Sequence, residues 1–250
     1  SPFHNEESRL LEHAEEFFFF FFYSAAYRYT EELLAEEIEN AEEKREAEYT
    51  SALSAYYLRN ADAINKLQAY VVAYPYASEL DKFNLYIGIL EIESAKHKNA
   101  LEILEKVRRE NLTDEDIDAL LFYRGYAYLD RKKYEEASYE FGLLLKRKSE
   151  KYNVSAHYYY GYSQYRLENY SVALENILVA ENDPSFKEET PLLLCRLYFL
   201  LDNCEKSTEY ANKIISAGEI KKEKAEVYKI LAVCKFNNKE YSNTIELLEK

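Results

Sequence analysis

Catalysis and metal binding need imidazoles, thiols, nucleophiles or carboxylates at fixed spacing, and this sequence supplies the residue types without the spacing. Its four histidines (His4, His13, His97 and His157) are scattered, and no H-E-x-x-H or Cys/His ligand pattern joins them. Cys195, Cys204 and Cys234 are an odd number with no C-x-x-C spacing, which points to neither a disulfide framework nor a zinc site. There is no nucleophile elbow, Walker loop or Gly-rich dinucleotide turn. Paired carboxylates are frequent, but Glu-rich helices produce them by chance. No enzyme activity, metal or cofactor is expected within residues 1–250.

What is abundant is contact chemistry: 26 Tyr and 13 Phe, with no Trp and no Met. A tyrosine brings a large apolar ring and a polar tip, the combination that interfaces use most. The net charge of −14 excludes a nucleic-acid partner, because nothing would neutralise phosphates. That charge is uneven. Between Glu31 and Glu48 nine Glu face only Lys44 and Arg45, either as a solvated helix pair or as a docking surface for a basic partner.

The elements that must carry these side chains are helices. Five Gly and four Pro are too few for the turns of an all-β chain of this size, and Leu, Ala, Glu and Lys favour helix. No run of eighteen apolar residues occurs, so no membrane-spanning helix is expected. The block Phe17–Phe22 is too short, and too closely preceded by Glu15 and Glu16, for the core of a signal peptide. A chain opening on Ser1-Pro2 without Met is expected to come from a longer protein.

The helices repeat. Small residues recur at Ala14, Ser51, Gly88, Gly125, Gly161, Cys195 and Ala232, each followed twelve positions later by another: Ala26, Ala63, Ala100, Ala137, Ala173, Ser207 and Thr244. Steps between the second members are 37, 37, 37, 36, 34 and 37 residues. Antiparallel helices approach closely only where Cβ atoms are small, and a larger residue four positions on fills the adjacent hole. Leu67, Leu104, Phe141, Ile177 and Leu248 are those fillers, with Thr30 and Ala211 as smaller versions. Turns are expected between Asp130 and Tyr134 and between Glu168 and Tyr170. Thr113 reads as an N-cap, Asp183-Pro184 as a loop, Thr190-Pro191 as a helix start and Ala217-Gly218 as a helix end. Phe19–Phe22 fall where the fourth repeat has the turn Asp130-Arg131-Lys132-Lys133.

This pattern resembles the tetratricopeptide repeat family, W-x2-L-G-x2-Y, then A-x3-F, then P. Gly125, Tyr128, Ala137 and Phe141 match its central positions, and Leu121 stands at the Trp site. The resemblance covers residues from about 7 to 250. It implies one all-α domain, a right-handed α-α superhelix of about seven helix-turn-helix repeats near 7–43, 44–80, 81–117, 118–153, 154–187, 188–224 and 225–250. The stretch from Tyr74-Pro75 to Asp183-Pro184-Ser185-Phe186 also resembles large tetratricopeptide proteins of the Bacteroidetes cell envelope, which favours the envelope or periplasm over the cytoplasm. Lys250 falls inside a second helix, so the array is expected to continue.

The same resemblance implies a protein-binding role, with the first helix of each repeat lining a concave face. There it places Phe122, Tyr126, Leu129, Tyr158, Tyr162, Tyr165, Arg166, Leu192, Arg196 and Phe199. The tyrosines among them either contact a partner or pack between repeats. The Lys, Asn and Arg set of a carboxylate clamp is absent. The expected function is a scaffold for a protein or peptide; the alternative is a sensory or regulatory array fused to an effector domain elsewhere. Membrane contact would come only through Phe19–Phe22 or through an anchor outside these residues.

Overall fold

A computed structural model describes residues 19–218 and 224–237, and among them all regular structure is helical. The helices are α1 (19–34), α2 (Ala41–Tyr57), α3 (Ala63–Ala73), α4 (Leu80–Glu93), α5 (His97–Leu104), α6 (Asp114–Asp130), α7 (Tyr134–Arg147), α8 (Asn153–Arg166), α9 (Tyr170–Ala180), α10 (Thr190–Leu200), α11 (Cys204–Ala217) and α12 (Lys224–Asn237), with a 3-10 turn at Arg109–Asn111. They belong to two compact units, Ser1–Asp116 and Ile117–Lys250.

Each of five helix pairs is closed by the same turn. The residue that ends it is left-handed at Arg59, Ala95, Lys132, Glu168 and Asp202, with φ between 54° and 65°. The next N–H reaches back five residues, as from Lys133 to Tyr128 O at 2.9 Å and from Asn203 to Tyr198 O at 2.8 Å. This is the Schellman closure, which satisfies carbonyls that the end of a helix leaves open. The expected turns after Asp130 and before Tyr170 fall on it.

In the first unit, α2 packs with α3 and α4 with α5. Gly88 on α4 faces Leu104 on α5 so closely that an added Cβ would lie 2.4 Å from Leu104 Cδ2. Ser51, the counterpart of that glycine on α2, is buried and donates its hydroxyl to Glu31 at 2.8 Å. The loop after α5 is clamped by Asp81, whose carboxylate accepts from the Arg108 backbone N–H at 3.0 Å, Arg108 Nε at 3.1 Å and Asn111 Nδ2 at 2.5 Å.

In the second unit the same contact recurs. A Cβ on Gly125 would meet Phe141 at 3.0 Å, and one on Gly161 would meet Ile177 at 3.0 Å. Where Cys195 replaces the glycine, the pair is bonded as well as packed, because Ser207 Oγ donates to Cys195 O at 2.9 Å. Arg124 and Glu140, both buried, pair at 3.0 Å between α6 and α7. The boundary signals hold: Asp116 N–H donates to Thr113 Oγ1, Ser185 N–H to Asp183 Oδ1, Pro191 lies in the first turn of α10, and Gly218 ends α11 at φ 71°.

Two expectations are corrected. Cys204 and Cys234 form a disulfide between α11 and α12, leaving Cys195 as the buried free thiol. The bond closes because neighbouring helices bring the two Cα atoms to 5.3 Å, a proximity that no local spacing encodes. Phe19–Phe22 are helical rather than a turn. The left-handed backbone that closes the other turns is costly for a bulky ring. Ala14, Phe17, Phe18, Thr244, Leu248, His4 and His13 lie outside the described residues.

Candidate functional site

No nucleophile–base pair or metal site emerges among the described residues. His157 Nδ1 lies 2.8 Å from Asn176 Oδ1, and no group of three or more potential metal ligands occurs there. No described helix is long and apolar enough to cross a membrane. The feature that stands out is a groove in the second unit.

The groove runs over α8, α10 and α12 and has a volume of about 260 Å³. Its apolar lining comes from Tyr165, Phe199, Leu200, Ile230 and Val233, and its charges from Arg196, Glu226 and Lys229. Ile230 is buried in the core beneath, while Leu200 is 41% exposed. Arg196 Nε donates to Glu226 Oε1 at 2.6 Å, and a second guanidinium nitrogen donates to Oε2 at 2.5 Å. This two-pronged bond holds the Glu226 carboxyl below its usual range against the opposing effect of burial. The pair cancels in charge and leaves Lys229 as the groove's net positive group. Arg166, exposed at the end of α8, lies 4.5 Å above the Tyr134 ring and donates to Tyr162 Oη at 3.4 Å.

Three of the residues expected on the inner face therefore meet in one cavity: Tyr165, Arg196 and Phe199. Others are engaged by rings from the loops and helices that follow them. Phe122 stacks on Tyr152 at 4.6 Å, and Tyr158 stacks on Phe186 at 4.2 Å. Tyr126 meets Tyr159 edge-on at 5.4 Å. Burial pushes the hydroxyl of Tyr158 above its ordinary range, and that of Tyr159 to about 12. Tyr162 is half-buried, 6.3 Å from Tyr165.

The α12 lining escaped the sequence reading, although a signal for it exists. Tyr158, Tyr162 and Tyr165 stand at −3, +1 and +4 from Gly161, and Leu192, Arg196 and Phe199 stand at the same offsets from Cys195. Those offsets from Ala232 give Lys229 and Val233, so the register needed only to be carried one repeat further.

No family model matches the sequence, and no curated protein matches it. Solved structures do match. A tetratricopeptide repeat protein from Parabacteroides merdae superposes with a TM-score of 0.55 at 16% identity, over 83% of this chain and 78% of its own. YrrB, described as a tetratricopeptide protein with an unusual peptide-binding site, gives 0.59 at 17%, over 73% and 90%. MamA from Desulfovibrio magneticus gives 0.54 at 18%, over 68% and 91%. The chain has the tetratricopeptide-repeat fold. The groove lies along α8, α10 and α12 of that fold.

Proposed function

We propose that the chain is a non-catalytic interaction scaffold that holds a segment of another protein in the α8–α10–α12 groove. The observation that carries this reading is the convergence of Tyr165, Phe199, Leu200 and Val233 around one open cavity with a cation at its rim. Aromatic and aliphatic anchors in a pocket, ringed by a few charges, are what concentrates binding energy at protein interfaces. YrrB, with its peptide-binding site, lends the reading support from the same fold. Tyr162 and Arg166 belong to the rim in this account. Phe122, Tyr126 and Tyr158 act by holding repeats in place. The Cys204–Cys234 disulfide suits an oxidising compartment such as the cell envelope.

The test is photo-crosslinking from a probe at Lys229, with a probe at Val179 on α9 as control; Val179 is 47% exposed and does not line the groove. The expected result is one protein crosslinked from position 229 and not from 179, whose measured affinity then falls with Lys229→Glu. Equal crosslinking from both positions, or an affinity indifferent to Lys229→Glu, would overturn the proposal.

A further inference from the structure

We infer that the segment received by this groove is α1 of a second copy of the same chain, an inference that rests on the groove reading above. The inner side of α1 is already engaged within its own unit. Phe19 and Tyr23 pack against Tyr57, Tyr27 Oη donates to Asp62 at 2.7 Å, and Thr30 is buried. Its other side is an apolar stripe open to solvent. Phe22 is 64% exposed and Tyr29 is 68% exposed, with exposed Ala25 between them, and Phe21 widens the stripe at its start. Positions 22, 25 and 29 are spaced i, i+3 and i+7, the anchor pattern with which a helix lies in an apolar groove. Exposed rings contiguous on one helix face mark a contact surface.

Charge selects the direction. Toward its C-terminal end α1 carries exposed Glu32, and it leads into the run of nine Glu between Glu31 and Glu48. In the groove, the ion pair of Arg196 with Glu226 leaves Lys229, and Arg166 stands on the same helix as Tyr165. In a chain of net charge −14 this is a cationic rim beside an apolar cavity, and α1 is an apolar stripe beside an anionic run. The two surfaces complement each other in both respects. They are different surfaces, so the contact is head-to-tail, and each copy that docks leaves one free stripe and one free groove. Assembly therefore proceeds past the dimer, as a chain or a closed ring.

The decisive experiment is sedimentation velocity on two variants, alone and mixed. Phe22→Ser combined with Tyr29→Ser removes the stripe and keeps the groove. Lys229→Glu reverses the rim and keeps the stripe. All three positions are exposed, and circular dichroism checks that each variant keeps its helix content. The wild type should show species beyond the dimer, weakened by salt. Each variant alone should associate at least about tenfold more weakly, because each has lost one of the two surfaces that a head-to-tail contact needs. The intact groove of the serine variant then meets the intact stripe of the glutamate variant, so a one-to-one complex that grows no further should form in the mixture at concentrations where neither variant self-associates. Undiminished self-association of Lys229→Glu would mean that stripes pack on each other and would overturn the inference. A wild type that is monomeric throughout would overturn it too, while leaving the groove reading to its own crosslinking test.

Discussion

At the scale of single residues, the fold depends on a few side chains that are absent. Gly88 sits within a helix, where Ala would ordinarily be favoured by about 1 kcal/mol. Here the added methyl would overlap Leu104, including its branching Cγ at 2.6 Å, so the neighbour must shift bodily. Overpacking of that kind costs about 1–3 kcal/mol. Gly88→Ala should therefore lower the thermal midpoint, and a raised midpoint would contradict the packing account. Asp81 makes a second prediction. Burial raises its pKa, but the bonds from Arg108 and Asn111 outweigh that and hold the carboxyl below the usual range. Its contribution is complete above the unfolded value of about 3.9 and drains as pH falls through the lower folded value. Arg108 is largely exposed, so the ion pair itself adds little. Asp81→Asn should cost about 1–2 kcal/mol at neutral pH and flatten the loss of stability on acidification, as read from urea midpoints between pH 2 and 7.

At the scale of elements, the helix pairs were legible because close approach constrains residue type. Small residues twelve apart, with a filler four later, located α4 against α5, α6 against α7 and α8 against α9. The turns were legible in position but not in conformation. Arg59, Ala95, Lys132, Glu168 and Asp202 adopt left-handed backbone without being glycine. Nothing in their identity announces it, because the hydrogen bonds of the closure impose the conformation. Lys132→Gly should relieve that strain and stabilise the protein by up to about 1 kcal/mol, since the gain exceeds the entropy that glycine adds to the unfolded chain. An unchanged or lower thermal midpoint would count against strain at this turn. The helical Phe19–Phe22 and the Cys204–Cys234 bond were missed for opposite reasons. The first follows from what a bulky ring cannot adopt at a turn, the second from a neighbour thirty residues away.

At the scale of the whole molecule, the abundance of Tyr and Phe beside scattered histidines and cysteines is the composition on which the proposed binding role rests. The site was half legible. The resemblance singled out candidates for an inner face, but which of them meet in a cavity depends on where neighbouring rings fall. Tyr152 and Phe186, carried by the loops before α8 and α10, occupy Phe122 and Tyr158 and leave Tyr165 and Phe199 open. The most direct measurement of the groove as a binding site is the affinity of Leu200→Asp for the protein crosslinked from position 229, together with its thermal midpoint. Leu200 lines the groove and is exposed enough for a carboxylate to reach water in the free protein. The account predicts a thermal midpoint close to that of the wild type and a Kd raised about thirtyfold, the equivalent of about 2 kcal/mol at an interface anchor. An unchanged Kd with the fold intact would contradict it.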